Sequence, residues 1–204
     1  VTLYQGLQQV LGKKKTILQA DGCNWWNRAD SKDIEQAVKA VEQSDLAIVA
    51  VGTRSTFLGR GPRYSTAGEG FDLSSLELPG NQSELLKAVK ATGKPMIVVL
   101  ISGKPLVMSW AKENADAVLV QWYAGEQEGS SIADILFGKT NPSGHLTVSF
   151  PKSSGHLPAY YNHLPTDRGF YHKPGSYEQP GRDYVFSSPG PLWAFGHGLT
   201  YTTF

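Results

Sequence analysis

Two runs of six purely apolar residues, Leu46–Val51 and Met96–Ile101, constrain this chain most tightly. Strands buried on both faces read as continuous apolar runs of about this length, whereas a membrane-crossing helix needs about 20 such residues. Both runs therefore predict interior strands and no membrane span. Each is preceded by a segment with helical spacing. Before the first, Ser31 is a candidate N-cap for a helix with Ile34, Ala37, Val38 and Val41 on one face. Before the second, Asn81 and Glu84 stand as N-cap and N3 ahead of Leu85, Leu86 and Val89, and Gly93 and Pro95 close the helix.

The same alternation continues on either side. Val1–Leu11 carries Leu3, Leu7, Val10 and Leu11 at helical spacing and leads to a short apolar run, Thr16–Ala20, read as a strand. Ala117–Val120 reads as another strand and Ser130–Phe137 as a helix stopped by Gly138. The turn Asn141-Pro142-Ser143-Gly144 then leads into a last strand, Leu146–Phe150. Helices alternating with apolar strands predict an α/β fold, a three-layer sandwich with a mainly parallel sheet covered on both faces. The 204 residues read as one domain, with 1–150 as its alternating core. Residues 151–204 hold seven of the 12 prolines and 11 of the 22 aromatic residues, a composition too rich in rings for a disordered tail. They predict an irregular segment wrapped on the core, with Tyr160, Tyr161, Trp193 and Phe195 as anchors.

Charge and motif content remove several function classes. Nineteen Lys+Arg against 18 Asp+Glu leave no basic excess for phosphates, so nucleic acid is not an expected partner. A single cysteine, Cys23, and five scattered histidines (His145, His156, His163, His172 and His197) supply no zinc spacing, so no metal or cofactor is expected. Gly59-Arg60-Gly61 lacks the third glycine of a dinucleotide fingerprint, Gly138-Lys139-Thr140 ends a helix where a phosphate loop would open one, and no Gly-x-Ser-x-Gly elbow is present.

Parallel sheets bind ligands beyond the carboxyl ends of their strands. The longest segment leaving such an end runs from Gly52 to Leu78, 27 residues with five glycines, three arginines, the aromatics Phe57, Tyr64 and Phe71, and the acids Glu69, Asp72 and Glu77. A loop of that length in a compact domain points to function. Carboxylate chemistry is what remains: glycoside hydrolysis needs one carboxylic acid as proton donor and a second carboxylate as nucleophile or base. Glu69, between Gly68 and Gly70, suits the first task because its neighbours leave room for a bulky ligand. From composition alone it reads first as an ordinary exposed loop glutamate. Glu126 and Glu128 could reach the same rim, but they precede a helix, where acidic groups complement free N–H groups and the helix dipole. Trp122 at a strand end, and Phe71 in the loop, are candidate sugar-contacting rings; an aromatic in the position of Trp122 more often belongs to the core.

Seven segments in order complete a pattern: Gly68-Glu69-Gly70-Phe71-Asp72, Leu76-Glu77-Leu78-Pro79-Gly80-Asn81-Gln82, Gly93-Lys94-Pro95, Trp122-Tyr123-Ala124-Gly125, Asp134-Ile135-Leu136-Phe137-Gly138, Asn141-Pro142-Ser143-Gly144 and Phe195-Gly196-His197-Gly198-Leu199-Thr200-Tyr201. Together they resemble the C-terminal domain of glycoside hydrolase family 3. The resemblance implies a retaining, exo-acting β-glucosidase-like or β-xylosidase-like enzyme acting on β-linked glucosides, xylosides or oligosaccharides. It implies an active site shared with a preceding (β/α)8 barrel that carries an aspartate nucleophile, with Glu69 as acid/base. It also favours a periplasmic or extracellular location. The barrel is absent from these residues, so the chain alone is expected to be inactive. Two departures stand out: Leu73 where many members have arginine, and Ser130 where many have a second glycine. The competing expectation is a non-catalytic carbohydrate-binding or interaction module of the same fold.

Overall fold

The computed structural model describes residues 1–26, 32–55, 65–70, 72–162, 176–179, 187 and 190–203. The expected N-cap Ser31, the loop residues Phe57, Tyr64 and Phe71, and His163 and His172 lie outside the described residues.

The chain opens with helix α1 (Leu3–Leu11), whose N-terminus carries a capping box between Thr2 and Gln5. Helix α2 (Lys32–Glu42) follows, with Asp33 and Glu35 against the positive end of its dipole. Next come strand β1 (Ala47–Gly52), helix α3 (Gln82–Ala91), strand β2 (Met96–Ile101), the short helix α4 (Ser109–Asn114), strand β3 (Ala117–Val120) and helix α5 (Glu128–Leu136). Only α4 has no counterpart in the sequence reading. Its six residues are too few to show a helical period, although they bury Ala111 behind the fully enclosed Leu106 and Met108.

The described strands form one parallel sheet in the order β1-β2-β3, with Ala47 opposite Met96 and Ile97 opposite Ala117. As the central strand, β2 is the most deeply buried, which is what its unbroken apolar sequence predicts. Met96, Val98 and Leu100 join Val49 and Val51, the α3 residues Leu85, Leu86 and Val89, and Phe150 in the principal core. Val99 faces the other way by strand alternation and is equally enclosed, so both faces of the sheet are covered. Asp116 ties two strands at their start: its Oδ2 accepts from the Met96 N–H at 2.8 Å while its own N–H donates to the Met96 carbonyl at 2.9 Å. The Met96 bond, helped by Lys90 at 3.5 Å, holds the Asp116 carboxyl below its ordinary range.

Helices α1 and α5 meet through glycine. A Cβ on Gly6 would lie 2.1 Å from the Gly129 carbonyl oxygen, and one on Gly129 would lie 2.1 Å from the Thr2 carbonyl oxygen. Gly52 is under a similar constraint, with φ +144° and a hypothetical Cβ 1.8 Å from the Ile101 carbonyl oxygen.

Three expectations require correction. Thr16–Ala20 is not a strand: it pairs with no described strand and leaves Leu18 44% exposed, and an apolar run without a ladder partner has nothing to hold it in a sheet. Asn81 stands at the α3 N-cap position but makes no side-chain cap bond, so the expected capping box with Glu84 does not form. Leu146–Phe150 forms an isolated antiparallel bridge, Phe150 to Trp193, in place of a strand. Around that bridge the Phe150 N–H donates to Trp193 O, Leu192 N–H to Phe150 O, and Leu146 N–H to His197 O, each at 2.8 Å.

The described tail is therefore fixed by backbone pairing and by Trp193, whose ring sits 5.6 Å from that of Phe150. Of the other expected anchors, Tyr161 and Phe195 stack on each other at 4.5 Å and stay largely exposed, as does Tyr160. Asn141, from the Asn-Pro-Ser-Gly turn, binds the chain end by donating to Thr202 Oγ1 and accepting from the Thr200 hydroxyl and the Tyr201 N–H.

Gly6→Ala and Gly52→Ala should each destabilise the fold by about 3 kcal/mol or more, because the added methyl meets backbone that cannot rotate away. Urea unfolding of the two variants beside Gly144→Ala, where a Cβ meets nothing within 4 Å and φ is not positive, checks this. A Gly52→Ala midpoint no lower than that of Gly144→Ala would contradict the packing described.

Candidate active-site edge

The three strands end side by side, and each is followed by a hydroxyl-bearing residue: Thr53 after β1, Ser102 after β2 and Tyr123 two residues beyond Gln121 after β3. Thr53 Oγ1 lies 3.0 Å from Ser102 Oγ and 2.8 Å from the Tyr123 hydroxyl, and Ser102 Oγ donates to the Lys104 carbonyl at 2.8 Å. Since each hydroxyl has one proton, that last bond orients the chain: Tyr123 donates to Thr53, Thr53 to Ser102, and Ser102 to Lys104 O. A Cβ on Gly103 would sit 2.8 Å from the Tyr123 ring, so glycine there admits the tyrosine. Composition and motif reading missed this relay because its members are 49 and 70 residues apart.

The next two residues after β1 anchor the long loop. Arg54 O accepts from the N–H groups of Thr66 at 2.9 Å and Ala67 at 3.2 Å, and the Arg54 N–H donates to Thr66 Oγ1 at 3.1 Å. Residues 56–64 are outside the described set, but the returning arm is thus closed onto the departing one. Immediately beyond, Gly68 (φ +79°) and Gly70 (φ +73°) adopt left-handed backbone on either side of Glu69, which the Gly-Glu-Gly sequence permits. The Ser55 hydroxyl donates to Glu69 Oε2, and the glutamate is otherwise exposed at the sheet edge.

Trp122 is the one described non-glycine residue with positive φ, at +58°. This backbone turns its half-buried ring toward Phe150, 5.9 Å away, at the margin of the core. Gln121 beside it is 8% exposed, and its Oε1 is a buried acceptor without a hydrogen-bond partner among the described residues. Glu128 is the first residue of α5 and Glu126 lies exposed just before it; the N-cap residue is Gln127, which makes no side-chain cap bond. Glu126 and Glu128 thus stand at the positive end of the α5 dipole. Phe71 lies outside the described residues.

Two clefts flank the loop root. One of about 300 Å³ is lined by Asp21, Cys23, Trp25, Arg54 and Gln82 among others. Its wall is a stack in which the Arg54 guanidinium lies 4.4 Å over the Trp25 ring. The second, of about 250 Å³, includes Thr53, Thr66, Leu73 and Glu77, so Leu73 forms part of its lining. Among the described residues no three His, Cys, Asp or Glu side chains converge as metal ligands, and no helix is long and apolar enough to cross a membrane.

Comparison with known proteins bears on the family and the fold. Residues 1–201 match the profile of the glycosyl hydrolase family 3 C-terminal domain. The chain is 37% identical to a periplasmic beta-glucosidase of Salmonella typhimurium, covering 100% of the chain and 28% of that protein. It is also 37% identical to a beta-xylosidase of Formosa agariphila, covering 100% of the chain and 26% of that protein. Among solved structures, a β-glucosidase from Erythrobacter marinus superposes with TM-score 0.80 at 34% identity, covering 100% of this chain and 28% of that one. A beta-glucosidase from Listeria innocua in complex with isofagomine gives TM-score 0.74 at 30% identity, covering 98% of this chain and 26% of that one. The chain thus spans little more than a quarter of the length of these relatives.

Cys23, on the first cleft, has its thiol pushed up to about 11 by burial and then by the negative charges of Glu84 and Asp33. Its thiolate is accordingly scarce at neutral pH. Alkylation by iodoacetamide at pH 8 should run roughly a hundredfold slower than for an unshifted thiol and return to the ordinary rate in urea. Mass spectrometry of timed samples reads this, and equal native and denatured rates would refute it.

Proposed function

The chain belongs to the glycosyl hydrolase family 3 C-terminal domain family, and on that premise we propose that it is the acid/base-bearing half of a retaining, exo-acting β-glycosidase, with Glu69 as the proton donor. The observation that carries this reading is the placement of Glu69. It stands on a closed turn at the carboxyl edge of a parallel sheet, flanked by two left-handed glycines and held by the Ser55 hydroxyl.

In the first half-reaction, protonated Glu69 donates to the glycosidic oxygen. A carboxylate on a (β/α)8 barrel domain of the same polypeptide attacks the anomeric carbon from the opposite face and forms a glycosyl ester. In the second, Glu69 as carboxylate takes a proton from the water that cleaves this ester, which releases the sugar with its configuration retained. The two carboxyl groups must lie about 5–5.5 Å apart, so the exposed face of Glu69 is where the barrel and substrate dock. Two carboxyl groups suffice for this chemistry, and neither metal nor organic cofactor has a step in it.

β-Linked glucosides and xylosides are the substrate class, in keeping with the names of the relatives. Phe71, two residues beyond Glu69, and the partly exposed ring of Trp122 supply apolar contact to a sugar face. A periplasmic location is in keeping with the name of the Salmonella relative.

The purified 204-residue chain should release no nitrophenol from an aryl β-glucoside or β-xyloside above the buffer rate; measurable turnover would refute the division of labour between two domains. In the enzyme joined to its barrel, Glu69→Gln should lower kcat/KM about 10²–10⁴-fold for substrates with poor leaving groups, while an activated dinitrophenyl glycoside is largely spared and its turnover accelerated by azide. Equal losses on the two substrate types would shift the role to Glu126 or Glu128.

A further inference from the structure

We propose that Gln82 is a positioning residue for the acid/base, acting through the backbone at the root of its loop; this rests on the assignment of Glu69 above. Gln82 is the first residue of α3 and is 5% exposed. Its carboxamide grips both polar groups of a single residue 30 positions earlier: Oε1 accepts from the Gly52 N–H at 2.5 Å, and Nε2 donates to the Gly52 carbonyl at 2.8 Å.

Gly52 is where β1 gives way to the loop. Its φ of +144° diverges from strand geometry, and the Ile101 carbonyl occupies the space a Cβ would need. Without Gln82, the Gly52 amide and carbonyl would lose these partners in a buried setting, a cost the structure otherwise avoids. From that point the chain is held residue by residue. Thr53 is fixed by its N–H to Ile101 O at 2.9 Å and by the hydroxyl relay, Arg54 by Thr66 and Ala67, and Ser55 reaches Glu69. Two residues, Thr53 and Arg54, separate the clamped glycine from the serine that holds the acid. The clamp therefore determines where the carboxyl group stands, although the Gln82 carboxamide bonds to Gly52 and not to the acid.

General acid catalysis is sensitive to such placement, since a displacement near 1 Å can cost about a hundredfold in rate. Protonation matters most when the leaving group is poor, so a misplaced acid should reproduce the leaving-group signature of a missing one. Loss of folded enzyme would instead reduce all substrates in proportion.

The test compares Gln82→Met, Gln82→Glu and Glu69→Gln in the enzyme joined to its barrel. Each preparation is assayed on an alkyl β-glucoside and on a 2,4-dinitrophenyl β-glucoside. The ratio of the two rates is independent of how much of a preparation is folded. For Gln82→Met the ratio should fall at least tenfold, with less than a threefold change on the activated substrate. Gln82→Glu, which keeps the acceptor but turns a carboxylate oxygen toward the Gly52 carbonyl, should lie between wild type and Gln82→Met. Combined with Glu69→Gln, Gln82→Met should lower the ratio no further, as expected of two residues acting through one group. If Glu69→Gln lowers the ratio and the Gln82 variants do not, the positioning role is overturned and the acid assignment stands. If Glu69→Gln leaves the ratio unchanged, the acid assignment fails and this role fails with it.

Discussion

The structure depends on the parallel pairing of β1 with β2, which ends where Gly52 passes the Ile101 carbonyl too closely for any side chain. That approach lets the chain leave the sheet sharply at its carboxyl edge, and three consecutive residues are then fixed in different ways. Gly52 is held by a side-chain amide, Thr53 by a ladder bond and two hydroxyls, and Arg54 by the returning arm of its own loop. The long insertion hangs from a rigid root, so the loop can carry a reactive group without forfeiting its position.

The rest of the described domain closes around β2. One face is packed by α3, the segment leading into α4, and Phe150, while α1 and α5 meet glycine against glycine. Among its described residues the tail buries Pro151 and Leu192 and packs Trp193 against the core. It is secured by backbone bonds to Leu146 and Phe150 and by Asn141, which binds three consecutive residues, Thr200, Tyr201 and Thr202. The Asn-Pro-Ser-Gly turn and the Phe-Gly-His-Gly-Leu-Thr-Tyr segment are thus two halves of one contact. That explains structurally why motifs so far apart in sequence occur together.

Polar groups at the sheet edge follow one economy. Hydroxyls on Thr53, Ser102 and Tyr123 satisfy one another in a directed line, leaving Gln121 Oε1 as the buried acceptor without a described partner. Beside it, Trp122 holds a backbone conformation rare for a residue with a side chain. A strained residue and an unsatisfied polar atom at the carboxyl end of a parallel strand are where such folds place their ligand sites.

Periodicity alone determined the α/β class, all three described sheet strands and four of the five described α-helices, because buried strands and amphipathic helices carry their burial in the residue pattern. It misjudged Thr16–Ala20 and Leu146–Phe150, since an apolar run becomes a strand only if a partner presents a free backbone edge, and that is a property of the assembled fold. The Gly-Glu-Gly turn was legible as permissive backbone around a carboxylate. What fixes the root of its loop was not legible: the grip of Gln82 on Gly52 and the bonds of Thr53 to Ser102 and Tyr123 join residues 30 to 70 positions apart. Asn81 reads as the N-cap of its motif, but it is the neighbouring glutamine that reaches the strand end. Only the tertiary structure could decide between them, because side-chain direction at a helix start depends on what the sheet brings within reach.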